Sequence, residues 1–194
     1  QRVLDVLDVV SRHQFVPKEY EALAYSESRI PLSETHFMLP PTYEGRFLQE
    51  IAIQDNERVL IVGSGSGFLA ACASRLGNEV VAVDIVDRFN VNAEAITREL
   101  GFTNIEYKTG DFKDLFASLG TFDAFIFTGS MKEVPAAYLD LLNEKGRLLA
   151  TVGKVNAMSV TVFSKIAGEI RETPVYERDL ERLIGFEDKP EFEF

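Results

Sequence analysis

Three glycines at alternate positions are the most chemically informative feature of the sequence. Gly63, Gly65 and Gly67 follow a short apolar run at 59–62 and precede a helix-like segment. Because glycine has no β-carbon, Gly63 and Gly65 would let the backbone bend sharply and approach a ligand closely, and Gly67 would let the helix pack near the strand. Ser64 adds a hydroxyl donor. This pattern predicts a nucleotide-binding turn.

Two carboxylates are placed to complement this turn. Asp84 ends the second predicted strand, beside Ile85, and the third predicted strand is followed by Asp111 and Phe112. In a parallel sheet these positions share the carboxyl edge with the glycine turn, where a carboxylate accepts the ribose hydroxyls of a bound nucleotide. We therefore expect Asp84 to bind a ribose, Asp111 to lie near an adenine amino group, Phe112 to lie near the adenine face, and Ile85 to be a further cofactor-binding residue.

The spacing of the glycines distinguishes between two kinds of ligand. A dinucleotide-binding loop has its third glycine at the position that Phe68 occupies here, and a bulky side chain there would crowd a diphosphate. The pattern fits S-adenosyl-L-methionine (SAM), which contains adenosine but no pyrophosphate. Thr128 and Gly129, at the end of the fourth predicted strand, would close the pocket. An NAD-linked oxidoreductase is the alternative that Phe68 disfavours.

The elements that must position these residues alternate between strands and helices. Apolar runs predict strands at 58–62, 80–84, 105–108, 124–128 and 147–152, and two further strands at 159–166 and 169–176 are joined by a two-residue connection. This order predicts an α/β fold with a doubly wound, Rossmann-like sheet, mostly parallel with a C-terminal antiparallel hairpin. We expect a single domain over 1–194, with an N-terminal helical cap at 1–57 and a cofactor-binding sheet at 58–194.

The helical pattern is clearest at 89–100, where apolar residues recur on one face and Asp87 could cap the N-terminus. Weaker patterns predict helices at 3–11, 42–52, 68–76 and 135–142, the last beginning with a proline. The alternating tail at 191–194 predicts an edge strand.

Composition excludes several classes of function. The formal net charge of −11 repels phosphate backbones, so nucleic acid is not an expected partner. One Cys and two His are too few for a structural zinc site, and no metal centre is expected. With neither an apolar membrane span nor a secretory signal, the expected compartment is the cytoplasm. Composition leaves open whether the protein is a monomer or a homodimer.

Taken together, the motifs resemble the protein-L-isoaspartate O-methyltransferase family of class I SAM-dependent methyltransferases. The resemblance covers most of the chain and rests on a series of motifs in the family's order: Phe-Val-Pro at 15–17, Ala-Tyr at 24–25, Ile-Pro-Leu at 30–32, the glycine turn at 59–68, Phe-Asp at 122–123, Glu-Val-Pro at 133–135, Gly-Arg-Leu at 146–148 and Val-Gly at 152–153.

This resemblance implies a fold, a cofactor and a set of binding residues. SAM would bind at Gly63, Ser64, Gly65 and Gly67, and its product S-adenosyl-L-homocysteine would occupy the same place. The resemblance also places Asp84 at the ribose, Asp111 and Phe112 at the adenine, and Thr128 and Gly129 beneath the methyl donor. The implied activity is methylation of isoaspartyl carboxylates in damaged proteins or peptides.

The sequence departs from the family pattern at the acceptor side. Phe37 and Leu39 stand where the family has a Thr and a Ser whose hydroxyls face the reacting carboxylate, and Ile61 replaces an acidic residue. His36 is the nearest polar candidate, able to orient a carboxylate or to act as a base. Two alternatives therefore remain: methyl transfer to a different small apolar or hydroxylated acceptor, and a SAM-binding domain without catalysis.

Overall fold

The computed structural model describes residues 1–188, and the predicted edge strand at 191–194 lies outside the described residues. Within them, a seven-stranded sheet has the strand order β5-β4-β3-β6-β7-β8-β9, and a separate two-stranded hairpin pairs β1 with β2. The strands are β1 (Ile30–Pro31), β2 (Phe37–Met38), β3 (Arg58–Val62), β4 (Glu79–Asp84), β5 (Ile105–Thr109), β6 (Phe122–Met131), β7 (Leu142–Lys154), β8 (Ala157–Ile166) and β9 (Glu169–Glu177).

Five strands of the large sheet, β3 to β7, run parallel, and β8 and β9 pair antiparallel to their neighbours. The predicted doubly wound sheet with a C-terminal hairpin is confirmed. The connection between β8 and β9 is the dipeptide Ala167-Gly168, whose φ angles are +53° and +78°. Positive φ at both central residues matches the twist of the flanking strands and allows a tight hairpin.

Helices connect and cover the strands: α1 (Arg2–Val9), α2 (Pro41–Ile51), α3 (Phe68–Leu76), α4 (Asp87–Glu99), α5 (Phe112–Leu115) and α6 (Ala136–Leu139), with short 3₁₀ turns at Arg12–Phe15, Lys18–Leu23 and Phe116–Ser118. The central strands are buried on both faces, between two apolar clusters. This explains their continuous apolar runs. Within residues 1–188, no helix combines the length and apolar character needed to cross a bilayer.

Two local predictions were wrong. The helix predicted at 135–142 is limited to Ala136–Leu139, because the chain enters β7 at Leu142. Asp87 lies inside the first turn of α4, and the capping position belongs to Val86, which makes no side-chain cap. The N–H of Val86 instead donates to Oδ1 of Asp84 at 2.9 Å, so the carboxylate at the end of β4 orders this turn.

The strand order places a crevice beside β3. From β3 the chain winds outward through β4 to β5, then returns to add β6 and β7 on the other side of β3. The connections therefore diverge at the carboxyl ends of β3 and β6, and such a switch point is where doubly wound folds bind ligands. The glycine turn follows β3 directly.

Candidate functional site

A cavity of about 750 Å³ opens at this switch point. Its volume lies within the range of roughly 300–1,000 Å³ that is typical of small-molecule sites. The walls come from three parts of the chain: the segment at 27–44, the ends of β3, β4, β5 and β6 with the turns that follow them, and the segment at 178–187. Within residues 1–188, no group of three or more His, Cys, Asp or Glu side chains could hold a metal ion.

The glycine turn and the carboxylate of Asp84 are joined by hydrogen bonds. The N–H of Gly65 donates to Oδ2 of Asp84 at 2.8 Å, and the N–H of Val86 donates to Oδ1 at 2.9 Å. At the start of the turn, the N–H of Gly63 donates to the carbonyl of Val83 at 2.8 Å. The turn after β3 is thereby tied to the end of β4.

The Asp84 carboxylate is buried, with 7% of the residue exposed, and lines the cavity. Burial raises the pKa of Asp84, partly offset by the two N–H donors and by the nearby His36. An ionised carboxylate has about four acceptor positions. The two backbone donors occupy two of these, which leaves acceptor capacity for a pair of hydroxyl groups.

The structure refines the roles of the three glycines. A β-carbon on Gly63, whose φ is +84°, would lie 2.3 Å from Oγ1 of Thr128, so the space beside Gly63 is filled by the protein itself. A β-carbon on Gly65 would meet the Leu32 side chain at 3.2 Å and the carbonyl oxygen of Gly63 at 4.0 Å. At Gly67, with φ of +85°, it would lie 2.6 Å from the Cβ of Ala93, so Gly67 allows α3 to begin against α4.

Ser64 uses its donors within the protein. Its N–H donates to the carbonyl of Val83, and its hydroxyl donates to Oδ1 of Asn90 at 2.8 Å. Asn90 in turn donates to the carbonyl of Lys108 at 2.9 Å, which links the glycine turn to α4 and β5. Ser64 therefore stabilises the turn, and toward a ligand its side chain would act as an acceptor.

Thr128 and Gly129 lie at a register shift of β6 against β7, between Ile126 and Ser130. The Thr128 hydroxyl donates to the carbonyl of Gly63 at 2.6 Å, bridging the ends of β6 and β3. A β-carbon on Gly129 would lie 3.0 Å from backbone atoms of Leu183. The predicted floor of the pocket is therefore shared with a C-terminal segment of the chain.

Three further predicted cofactor-binding residues line the cavity: Ile85, Asp111 and Phe112. Asp111 caps α5 by accepting a hydrogen bond from the N–H of Lys113 at 2.9 Å. Ile85 is 39% exposed. The Phe112 ring is buried and packs edge-on against Tyr138, with a centroid distance of 4.9 Å. Phe112 is thus a core residue that also contributes to the cavity wall.

His36 lies beside Asp84 and Phe89, with its ring edge-on to the Phe89 ring at 5.3 Å. Oγ of Ser33 accepts from the N–H of His36 and lies 2.7 Å from Nδ1, which Thr35 Oγ1 also approaches. In the tautomer whose Nδ1 accepts from these hydroxyls, the ring proton is on Nε2. Nε2 is buried without a hydrogen-bond partner in the described residues. An unsatisfied buried donor in a cavity wall is a feature that a ligand acceptor would satisfy.

Phe37 and Leu39 both line the cavity, so their apolar side chains contribute to its wall. Phe37 begins β2, and the guanidinium of Arg29 lies over its ring, with Cζ 4.1 Å from the centroid. The carbonyl of Leu39 accepts a hydrogen bond from Arg12 at 2.6 Å. No sequence signal singled out Arg29 or Arg12, because each acts through contacts made only in the folded chain.

Arg12 belongs to a buried ion pair behind this wall. Its Nε donates to Oε2 of Glu44 at 2.8 Å, and both side chains are almost completely buried. Burial raises the pKa of Glu44 to about 7, although Arg12 opposes the shift. The pair fixes the segment before β1 against α2, behind the part of the cavity wall that contains Leu39.

The segment at 178–187 was the largest part of the site that the sequence did not reveal. It leaves β9, returns across the carboxyl edge, and hydrogen-bonds to the end of β6: Ser130 N donates to Glu181 O at 2.7 Å, and Leu183 N donates to Ser130 O at 2.9 Å. It mixes polar residues with the apolar Leu180, Leu183, Ile184 and Phe186 in no regular period, so no pattern predicts where it packs.

Comparison with known proteins decides the family. The family model described as "Protein-L-isoaspartate(D-aspartate) O-methyltransferase (PCMT)" matches residues 1–178. The chain belongs to this family. Among curated members, the protein-L-isoaspartate O-methyltransferase of Roseiflexus sp. (strain RS-1) is 33% identical over 95% of this chain and 85% of the relative. The protein-L-isoaspartate O-methyltransferase of Methanoculleus marisnigri is 31% identical over 90% of this chain and 80% of the relative.

Solved structures agree on the fold. A Plasmodium falciparum protein described as a protein-L-isoaspartate O-methyltransferase, in complex with S-adenosyl-L-homocysteine, matches with a TM-score of 0.83 at 19% identity, covering 94% of this chain and 90% of its own. Another solved protein-L-isoaspartate O-methyltransferase matches with a TM-score of 0.82 at 21% identity. The match covers 94% of this chain and 61% of the other. The resemblance to this family of SAM-dependent methyltransferases is confirmed.

The departure from the protein-L-isoaspartate O-methyltransferase pattern at Ile61 has a simple packing basis. Ile61 is fully buried at the centre of β3 and belongs to the apolar cluster on one face of the sheet. An acidic side chain there would need a buried partner. Ile61 therefore contributes apolar packing to β3, where an acidic side chain would be buried.

Proposed function

We propose that this protein transfers a methyl group from SAM to the carboxylate of isoaspartyl residues in proteins or peptides. The observation that carries the proposal is the pairing of the glycine turn with Asp84 at a cavity in the switch point of the sheet. Membership of the protein-L-isoaspartate O-methyltransferase family supports the choice of reaction.

The residues present fit SAM. Asp84 has acceptor capacity for the ribose hydroxyls, and the exposed Ile85 offers an apolar surface for the adenine beside Asp111. The unpaired Nε2 of His36 lies near Asp84 and would donate to an oxygen of the bound molecule. We therefore assign His36 to the ribose side of the cavity. When bound, SAM supplies an electrophilic methyl group.

The protein's contribution to the reaction is positioning. An α-carboxylate has an ordinary pKa of about 3.3–3.7, so it is ionised at neutral pH and needs no general base. Holding two reactants in line at close approach is worth up to ~7–11 kcal/mol. We propose that residues 1–57 serve as the cap that orients the acceptor, because the segment at 27–44 forms one wall of the cavity.

The test is methyl transfer from labelled SAM to a peptide containing one isoaspartyl residue. The expected product is a base-labile methyl ester that releases labelled methanol. The same peptide with a normal aspartyl residue is the control and should remain unlabelled. Binding of S-adenosyl-L-homocysteine without any ester on the isoaspartyl peptide would contradict the proposed acceptor.

A second candidate is methyl transfer to a different small acceptor. Phe37 and Leu39 favour it because both place apolar groups in the cavity wall. Labelled SAM and a metabolite extract would then yield a labelled small molecule, at a rate exceeding that with the isoaspartyl peptide. A faster reaction with the peptide would exclude this candidate as the main activity.

A further inference from the structure

The part of the cavity wall at 27–44 contains the apolar Phe37 and Leu39, which disfavour a carboxylate, but it also contains a cation, Arg29. Arg29, which precedes β1, lies with its guanidinium over the ring of Phe37, and both residues line the cavity. The pairing of β1 with β2 brings the two residues together, because Pro31 is opposite Phe37. A guanidinium stacked on an aromatic face keeps its N–H donors directed outward in a fixed plane.

A protein carboxylate already pairs with this guanidinium. Nη2 of Arg29 donates to Oε1 of Glu181, which belongs to the C-terminal segment of the cavity wall. The two side chains are 55% and 59% exposed, so water competes for both. An exposed ion pair of this kind contributes little free energy, and a ligand can exchange with it.

A second carboxylate of the cavity wall, two residues before Arg29 in the sequence, is engaged elsewhere. Glu27 accepts hydrogen bonds from the N–H and hydroxyl of Thr42 at the start of α2. Arg29 therefore retains several N–H donors, since a guanidinium carries five and Glu181 receives a bond from one nitrogen. The donor geometry matches a carboxylate, which accepts from two parallel N–H groups.

We propose that Arg29, held by Phe37, binds the carboxylate of the methyl acceptor and replaces the missing hydroxyl groups of the family pattern. This inference rests on the proposed function and specifies how the acceptor is recognised. Arg29 binds one edge of the carboxylate in place of Glu181, and a second lone pair on each oxygen remains available for reaction. Its role is acceptor specificity; the transfer step itself is unchanged.

The experiment measures acceptor binding in the complex with S-adenosyl-L-homocysteine, where no reaction occurs. Two peptides are compared by calorimetry: one with an isoaspartyl residue and one in which its α-carboxylate is a carboxamide. The wild type should prefer the carboxylate by about 10- to 100-fold, the factor expected for a hydrogen bond to a charged group. R29A should bind both peptides with similar affinity, and R29K should retain part of the preference.

Two further variants separate recognition from general structure. E181Q removes the competing carboxylate and should tighten carboxylate binding by about two- to fivefold, in line with the small energy of an exposed pair. R98A removes an exposed arginine that is also paired with a glutamate, Glu94, on α4 away from the cavity, and should leave both affinities unchanged.

The outcomes distinguish a failure of the proposed methyl transfer from a failure of the role proposed for Arg29. If the wild type neither binds nor methylates the isoaspartyl peptide, the proposed function fails and this inference falls with it. If the wild type methylates the peptide but R29A keeps the carboxylate preference, the inference alone is wrong. Should R29A not fold, an unchanged affinity in E181Q together with an unchanged preference in R29K would overturn it.

Discussion

The N–H of Gly65 donates to Oδ2 of Asp84 at 2.8 Å, which joins the glycine turn to the carboxylate at the end of the neighbouring strand. This bond orients the carboxylate within the cavity and helps the turn keep its shape. This contact between the turn after β3 and the end of β4 therefore connects the backbone geometry of the site with its principal acceptor group.

The first prediction concerns how much Asp84 contributes to the affinity for the cofactor product. D84N replaces one carboxylate oxygen by an NH₂ group, which cannot accept from a backbone N–H or from a ribose hydroxyl. We expect the affinity for S-adenosyl-L-homocysteine to fall by about 10- to 100-fold, as for the loss of a charged hydrogen bond. Calorimetry checks this result. D87N, an exposed position on α4, is the matched control and should bind normally.

The second prediction is a pH dependence of cofactor binding. Burial raises the pKa of Asp84 from its ordinary value of 3.8, so the carboxylate takes up a proton at a higher pH than a surface aspartate does. Only the ionised form accepts two hydroxyl groups, so the affinity for S-adenosyl-L-homocysteine should fall as the pH drops through this raised pKa. Binding measured at successively lower pH, while the protein remains folded, should show this decline in the wild type. An equal decline in D84N would exclude Asp84 as its cause.

The third prediction compares two glycines with similar backbone angles. Gly67 and Gly101 have φ of +85° and +78°, but a β-carbon would lie 2.6 Å from the Cβ of Ala93 at Gly67, whereas it meets nothing within 4 Å at Gly101. G101A should cost about 1–2 kcal/mol of unfolding free energy from backbone strain alone. G67A adds a steric clash and should cost roughly 2–5 kcal/mol in total.

Urea denaturation of both variants checks the comparison between Gly67 and Gly101. Equal losses of unfolding free energy would mean that α4 moves away from the glycine turn without cost. That result would contradict the close packing of Gly67 against Ala93.

The fourth prediction concerns the buried pair of Arg12 and Glu44. Glu44 has a pKa of about 7 in the folded protein and an ordinary value of 4.5. Between these two values the folded state holds a proton that the unfolded state has released, so the free energy of unfolding should decrease as the pH rises from 4.5 to 7. Below pH 4.5 the stabilising contribution of Glu44 to the free energy of unfolding is fully present.

Denaturation at several pH values tests this sign with E44Q as the reference. Glutamine keeps the size of the side chain but does not titrate, so the stability advantage of the wild type over E44Q should shrink from pH 5 to pH 8. An advantage that grows with pH would mean that Arg12 keeps Glu44 ionised and would contradict the raised pKa.

Local patterns in the sequence were sufficient to predict the central part of the site. The strand Arg58–Val62, the glycine turn and the helix Phe68–Leu76 were predicted with the bounds that the structure shows. Asp84 was placed correctly at the end of β4. These features depend on periodicity and on residue types within a short window, and parallel strands bring their carboxyl ends to one edge.

Only the tertiary structure decided how the rest of the cavity is built. The space beside Gly63 is filled by Thr128, and Arg29 meets Glu181 across 152 positions of sequence. Such contacts depend on which distant segments the folded sheet brings together. Residue types and periodicity within a short window do not predict this. The sequence by itself determined the fold, the glycine turn and the carboxylate at the end of β4. Folding alone determined which side chains form the rest of the cavity wall, because those contacts join segments that no local pattern relates.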